Sequence, residues 1–485
     1  MAQEYNDGQE YLGLFAATPP LEALRLLVSE VASVEEEDKY ILIADVSRAF
    51  FEAPAVRTVC VELPSEAFED GIADARKVGL LQLSLYGTRD AAANFQREVS
   101  KFMKSQGCTQ SKYNPCTYQR KDRTIVVLVH GDDFVVTGNR RDVLEFKKAL
   151  ESRFEIKSTL VGPPRNPTKE ELGWGGKKVR WADAEEEVTE VQEARILNRV
   201  IRVTERGWEY EADQRHRDLI VQQLGLTSAR PVSAPGSEEK GGEELELPLS
   251  NQDHKEFRQV AARANYLAMD RPDIAYAVKE VCRGMAAPLV HHARKLKRIG
   301  RYLAGSPRLI WKFEWQQPQA ITAFSDSDWA GCRRTARSTT GGVLMRGAHC
   351  IKAFSVTQRR VTLSSAEAEL GAAVKVAAEA IGIEQLAEGM GVSFAGCSSR
   401  VFVDSSAALG VVGRKGNGKL RHIRVGQLWV QQLAEDGDVQ FLKVSGTQNP
   451  ADLFTKHLPA MKIAELCSRA SLVHADGRAD SSLII

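Results

Sequence analysis

The amino-acid sequence predicts an α/β protein in three stretches: α+β, then helical, then α/β with a mixed sheet. Three observations carry this. Two apolar runs, 124–129 and 134–137, flank His130-Gly131-Asp132-Asp133, a hairpin pattern with Gly and Asp as turn formers. Residues 253–269, 272–285 and 289–304 read as consecutive helices. From Ala320 the order becomes strand, strand, strand, long helix, strand, helices, strand and short helix, the alternation of an α/β sheet.

The elements follow in chain order. Residues 1–20 are a loose start. Residues 21–34 predict an amphipathic helix, because Leu24, Leu26, Leu27, Val31 and Val34 roughly follow helical spacing. Glu35-Glu36-Glu37-Asp38 is a solvated turn, and Tyr40-Ile41-Leu42-Ile43-Ala44 is a buried type of strand ending in Asp45. Helices are expected over 90–106 and 142–154. Residues 161–190, rich in Pro, Gly and charge, read as an insertion, and 231–250, rich in Gly and Glu, as a linker. Further on, strands are expected at 320–324, 341–346, 349–355, 400–404 and 438–444. A long helix is expected over 364–388 and a short one over 450–456. Ser364 and Glu367 fit a capping box at the start of the long helix. Its buried face is expected to be Leu370, Val374, Ala377 and Ile381. The expected domains are 1–230 with the 161–190 insertion, the 231–250 linker, a helical connection 251–310, an α/β domain 318–460, and a tail 461–485.

Composition bounds the function. The chain has 485 residues, 43% apolar and 27% charged, which is ordinary for a globular protein. The net charge of +1 gives no whole-chain attraction to nucleic acid, so any such binding rests on local patches. Two patches stand out. One runs from His291 to Arg301 and includes Arg294, Lys297 and Arg298. The other runs from Gly413 to Arg424 and includes Arg414, Lys415, Lys419, Arg421, His422 and Arg424 with no acid. Eight cysteines without a CxxC pair argue against a zinc site or a disulfide scaffold. No apolar stretch is long enough for a bilayer, and the polar, acidic start does not read as a secretory signal. A cytoplasmic or nuclear location is expected.

Chemistry concentrates in acids. Asp326 and Asp404 end apolar strands, Glu369 lies in the first turns of the long helix, and Asp452 follows Asn449-Pro450 at the start of a short helix. Four carboxylates in the order strand, helix, strand, helix suggest one cluster. Without metal they would repel and shift one another's pKa values. With two divalent ions they become oxygen ligands for in-line attack on a phosphodiester. Asp45 with Asp132 and Asp133 forms a second set, a strand-end acid beside a hairpin pair. Asp328 is read as a solvated loop residue, Trp329 as packing behind Asp326, and Glu367 as a helix cap.

The motifs around these acids resemble the polymerase and ribonuclease H region of Ty1/copia-type LTR retrotransposon Pol polyproteins. The polymerase likeness rests on Ile43-Ala44-Asp45-Val46-Ser47-Arg48-Ala49-Phe50, Ser84-Leu85-Tyr86-Gly87 and Val129-His130-Gly131-Asp132-Asp133. The connecting region is similar at Tyr266-Leu267-Ala268, Arg271-Pro272-Asp273 and Arg301-Tyr302-Leu303. The ribonuclease likeness rests on Asp326-Ser327-Asp328-Trp329, Ser338-Thr339-Thr340-Gly341-Gly342, Leu363-Ser364-Ser365-Ala366-Glu367-Ala368-Glu369 and Asn449-Pro450-Ala451-Asp452. The likeness covers about residues 15–460. It implies an α+β palm-like polymerase domain, a helical connection, and a ribonuclease H-like α/β domain with a mixed five-stranded sheet. It also implies that Asp45, Asp132 and Asp133 are polymerase metal ligands, and that Asp326, Glu369, Asp404 and Asp452 are nuclease metal ligands. Each site would take two Mg²⁺, or Mn²⁺. The implied partners are an RNA/DNA hybrid, a primer–template and other element-encoded proteins, with no membrane. His422 is expected to contact the hybrid or help release product.

The departures set the expected activity. The chain begins near Thr18-Pro19-Pro20-Leu21, so the family's fingers segment is expected to be missing, as are protease and integrase. Asp90 stands where the family has Gln, an anion near the triphosphate, and Gly131 loosens the hairpin turn. The expectation is a ribonuclease H-type endonuclease joined to an impaired RNA-directed DNA polymerase. The alternative is an inactive relic or a co-opted nucleic-acid-binding protein.

Overall fold

The structure is a computed structural model that describes residues 14–33, 39–68, 76–164, 190–238, 243–317, 319–392, 399–418 and 420–484. Most of the expected 161–190 insertion, the acidic turn at 35–38, the middle of the expected linker and Lys419 lie outside the described residues. The chain divides into two compact units, one mainly 37–191 and the other mainly 192–388 with 392–485. Among the described residues, no helix is long and apolar enough to cross a membrane.

The first unit is built on a seven-stranded sheet. Its order is Cys108–Gln110, Thr117–Arg120, Ile125–His130, Asp133–Asn139, Lys39–Val46, Ile156–Val161 and Glu190–Val191. The expected hairpin forms, with His130 opposite Asp133. Gly131 turns it at φ 65°, a conformation that costs glycine little. Tyr40, Leu42, Ala44 and Val46 alternate toward one core, as a strand's period of two requires. There they meet Phe95 and Phe102 of the helix Ala91–Ser105 and Phe146 of the helix Arg140–Arg153. Asn139 caps the second helix, accepting from Asp142 N at 3.0 Å.

The second unit holds two sheets and a helical layer. The expected helices are Asn251–Leu267, Pro272–Cys282 and Val290–Gly305; with Arg215–Gln223 they share a core around Val260, Ile274, Val281, Leu296 and Leu303. A five-stranded antiparallel sheet, absent from the sequence reading apart from its constituent residues, runs Glu193–Ile196, Arg199–Thr204, Gly207–Ala212, Arg308–Glu314, Leu472–Ala475. This corrects two expected boundaries. Residues 192–230 belong with the second unit, and the 461–485 tail, uninformative in sequence, is part of its fold, since it supplies most of the helix Ala460–Arg469 and an edge strand. The expected linker is also tied down: Val290 N donates to Leu247 O at 2.9 Å, and Leu249 N donates to Pro288 O at 3.1 Å.

Buried charge fixes helices to this sheet. Asp270 accepts from Arg25 at 2.9 Å and Arg199 at 3.0 Å, while Trp311 Nε1 donates to its carbonyl at 2.9 Å. Arg271 and Asp273 form a buried pair at 2.7 Å, and Tyr302 donates to Asp273 at 2.9 Å. The Arg271 guanidinium therefore holds the Asp273 carboxyl well below the usual range, against its burial. The Arg271-Pro272-Asp273 and Arg301-Tyr302-Leu303 motifs are thus framework for the fold.

The mixed five-stranded sheet is as expected. Its order is His349–Thr357, Thr339–Arg346, Ile321–Asp328, Ser399–Val403 and Val439–Lys443. The first two pairings are antiparallel and the last two parallel. The helix Ser365–Gly389 follows the third strand in sequence. Its most buried residues include Ala373, Val376, Ala377 and Ala380, whereas Val374 and Ile381 are only half-buried.

Candidate active site

Three of the four C-terminal acids meet. Asp326, Asp404 and Asp452 each offer a carboxylate oxygen within 4.8 Å of the others. Parallel pairing explains the first two: Ser325 lies opposite Val403, so Asp326 and Asp404 leave the same sheet end side by side. The third arrives by a close approach that glycine permits. A Cβ on Gly341 would fall 2.6 Å from the Ala451 carbonyl and 2.9 Å from Phe454. Gly341 is paired with Asp326, so its missing side chain lets the 3₁₀ turn Pro450–Phe454 settle against the sheet. Asn449, fully buried, fixes that turn: its side chain donates to Ser325 O at 2.9 Å, accepts from Ala451 N at 3.1 Å, and hydrogen-bonds Asp404.

Glu369, on the helix, lies near enough to feel the charges of Asp326, Asp404 and Asp452, but is not among the three whose oxygens gather within 4.8 Å. It is buried, and its Oε2 has no hydrogen-bond partner. The helix start is close to the expected capping box. Glu367 N donates to Ser364 Oγ at 3.3 Å, but the Glu367 carboxylate accepts from Leu363 N at 2.8 Å, one residue before the cap. Glu367 also lies 3.1 Å from His422 Nε2, which brings the basic segment to the foot of this helix.

Electrostatics follow from crowding. Burial, then Asp452, pushes the Asp326 carboxyl up to about 7, although a hydrogen bond from Thr455 Oγ1 opposes this. Burial with Asp326 and Asp404 pushes Glu369 up to about 9. Burial, then Asp452, also raises Asp404. Lys456 pairs with Asp452 at 2.8 Å, and Lys443 Nζ donates to the Asp404 carbonyl. An all-oxygen set, with one buried oxygen of Glu369 lacking a hydrogen-bond partner, suits a hard divalent cation. Thr455, Lys456 and the structural part of Asn449 escaped the sequence reading. Their signal was present in Asn449-Pro450-Ala451-Asp452-Leu453-Phe454-Thr455-Lys456, whose acid and base are four residues apart.

The N-terminal acids come together less closely. Asp45 and Asp133 are direct partners on adjacent antiparallel strands, and Val46 N donates to Asp132 O at 3.1 Å. Burial, then Asp132 and Asp45, pushes the Asp133 carboxyl up to about 6. Among the described residues, however, only Asp326, Asp404 and Asp452 gather three ligand atoms within 4.8 Å.

Several expectations need correction. Asp90 is not a free anion: it is buried at the head of the helix Ala91–Ser105, accepting from Arg57 at 2.8 Å and Asn94 at 3.1 Å. Those partners hold its carboxyl below the usual range despite burial. Trp329 does not pack away behind Asp326; it is 54% exposed, with Nε1 donating to Thr362 O at 3.1 Å. Asp328 is no solvated loop residue, because it lies within a strand and accepts from Thr339 N. In the 414–424 patch, Lys415 is paired with Glu435 at 2.5 Å and Arg414 donates to Asn417 O at 2.8 Å, while Arg421 and Arg424 are exposed. In the other patch, Arg294 and Lys297 are exposed on the helix Val290–Gly305 and Arg298 is half-buried.

Residues 2–162 match a family described as reverse transcriptase (RNA-dependent DNA polymerase). The chain is 25% identical over 491 residues to the retrovirus-related Pol polyprotein from transposon TNT 1-94 of Nicotiana tabacum, covering 98% of this chain and 34% of that protein. It is 25% identical over 434 residues to the Pol polyprotein from transposon RE1 of Arabidopsis thaliana, covering 88% of this chain and 27% of that protein. The chain thus spans about a third or less of these relatives. Among solved structures, an LC11-RNase H1 in complex with RNA/DNA hybrid is 14% identical, covering 28% of this chain and 93% of that chain at a TM-score of 0.20. That likeness is too slight to bear on the fold, which rests on the strand order given above.

Proposed function

The chain belongs to the Ty1/copia-type family of retrotransposon Pol polyproteins, and on that premise we propose that its C-terminal carboxylate cluster cuts the RNA strand of RNA/DNA hybrids. The observation that carries this reading is the meeting of Asp326, Asp404 and Asp452 within 4.8 Å, with Glu369 buried beside them and one oxygen unpartnered. Mutually repelling acids at a sheet end lower the fold's stability, and a cation reverses that cost.

Asp326, Asp404, Asp452 and Glu369 would hold divalent ions, Mg²⁺ or Mn²⁺, which when bound activate water and offset charge on the leaving oxygen. The chain's own residues supply the rest. Asn449 and Gly341 set the position of Asp452. Thr455 orients the Asp326 carboxylate, and Lys456 balances charge at Asp452. Substrate would be recognised by duplex shape, phosphates and the 2′-hydroxyl, with Arg421, Arg424, Arg294 and Lys297 as candidate phosphate contacts.

In the same reading, the N-terminal acids Asp45, Asp132 and Asp133 are the remains of an RNA-directed DNA polymerase site that works weakly on a primer–template. The looser gathering of these acids and the glycine at the turn that carries two of them support that. Asp90 no longer does, since Arg57 neutralises it. The test is cleavage of a labelled hybrid by wild type and Asp404→Asn with Mg²⁺. Cleavage that falls by orders of magnitude in the variant fits; equal cleavage by both would end the proposal.

A further inference from the structure

Five arginines at the nuclease sheet end have no carboxylate partner. Arg333, Arg334 and Arg337 lie in the loop 329–338, and Arg359 and Arg360 in the loop 358–364; all five are exposed, and none forms an ion pair among the described residues. The two loops are far apart in sequence terms from the 414–424 patch but joined to each other. Gln358 N donates to Ser338 O at 2.8 Å, Trp329 Nε1 to Thr362 O at 3.1 Å, and the Ser338 and Thr362 hydroxyls lie 3.2 Å apart. Both loops leave the sheet where Asp328 faces Thr339 and Thr339 faces Thr357. That point is two residues, roughly 7 Å, past Asp326. Arg333 and Arg334 also line one cavity of about 640 Å³ with Thr455 and Lys456, the residues that contact Asp326 and Asp452.

Apolar surface stands between the charges. Trp329, Val361 and Leu363 are 54%, 51% and 69% exposed on these same loops. Five exposed arginines without an ion pair among the described residues and three exposed apolar side chains on the same two loops leave both charge and apolar surface open to a partner, although Glu238, Glu246, Glu280 and Asp328 share the cavity of Arg333 and Arg334. A partner that covers both must be a polyanion with flat apolar rings. A nucleic-acid strand has that chemistry: phosphates for the arginines, sugar and base faces for Trp329.

We propose that loops 329–338 and 358–364 form the surface on which the sugar–phosphate backbone of the hybrid docks and is led to the carboxylate cluster. This rests on the nuclease reading above. It makes these arginines the main electrostatic contact, ahead of the 414–424 segment, where Lys415 is already paired.

The test is binding of a labelled RNA/DNA hybrid by the full chain in an Asp404→Asn background, followed by fluorescence anisotropy across about 50–200 mM salt. Each double variant, Arg333→Gln/Arg334→Gln and Arg359→Gln/Arg360→Gln, should flatten the log–log salt slope by roughly 1.8, and weaken binding about 30-fold at 0.15 M salt, if each arginine neutralises one phosphate. The matching Arg→Lys variants should keep the slope. Trp329→Ala should weaken binding about fivefold or more with the slope unchanged. Thermal midpoints and Mg²⁺ binding should stay at parent values, which separates docking from folding. Normal hybrid binding with an unaltered slope in both double variants overturns the inference and leaves the nuclease reading standing. No hybrid binding by the parent overturns both. Tighter, arginine-dependent binding of a poly-glutamate peptide would assign the surface to an acidic protein and overturn the inference as stated.

Discussion

Replacing Glu369 by Gln should stabilise the metal-free protein. Burial with Asp326 and Asp404 holds the Glu369 proton up to about 9, against roughly 4.3 in an unfolded chain. Below about pH 4 both states are protonated and the residue is neutral in its effect. As pH rises, the unfolded chain releases its proton while the folded chain keeps it, so stability falls until about pH 9. At pH 7 the cost is about 4 kcal/mol, at roughly 1.4 kcal/mol per pH unit crossed. Gln has the shape of the protonated acid and does not ionise, so it removes that cost. At roughly 2–4 °C per kcal/mol, the second unit should melt about 8–16 °C higher in the variant at pH 7, with little difference near pH 4. The assay is differential scanning calorimetry in chelator at several pH values. Mg²⁺ should then reverse the order, raising wild type more than the variant. Equal midpoints for both proteins at every pH would refute the argument that these carboxylates are crowded and dry.

Three other predictions follow from the same geometry. Asn449→Ala removes a buried side chain that bonds Ser325, Ala451 and Asp404, and should cost about 2–4 kcal/mol and weaken Mg²⁺ binding, read by melting and calorimetry. Lys456→Met takes a half-exposed cation from Asp452, and should tighten Mg²⁺ binding by about fivefold or less in a titration. Asp90→Gln should destabilise the first unit by about 1–3 kcal/mol without raising primer extension, because it strips the partner from Arg57. The stability from Asp90 is present above the unfolded carboxyl's pKa and lost as pH falls through its lower folded value, so the gap between the two proteins should narrow in acid.

Local signals in the sequence mapped well onto local structure. The apolar run 40–44, the hairpin about Gly131 and the strand ends at Asp326 and Asp404 each form where periodicity and turn residues place them. Pairings between distant segments were not legible. The antiparallel sheet joins 193–212 to 308–314 and 472–475, and nothing in a four-residue edge strand announces a partner more than 150 residues away. Partners of charged residues were equally hidden: Asp90 reads as an exposed anion until Arg57 is seen beside it. Gly341 stands out in sequence only as part of the motif Thr339-Thr340-Gly341-Gly342; its reason, room for the Ala451 carbonyl, exists only in three dimensions.

The central claim is that the four C-terminal carboxylates form a metal-dependent centre that cuts RNA in a hybrid. The most direct measurement is digestion of a hybrid whose two strands carry different labels, with Mg²⁺ and with chelator. The account predicts shortening of the RNA strand alone, only with Mg²⁺. Cutting of the DNA strand, or RNA cutting that persists in chelator, would contradict it.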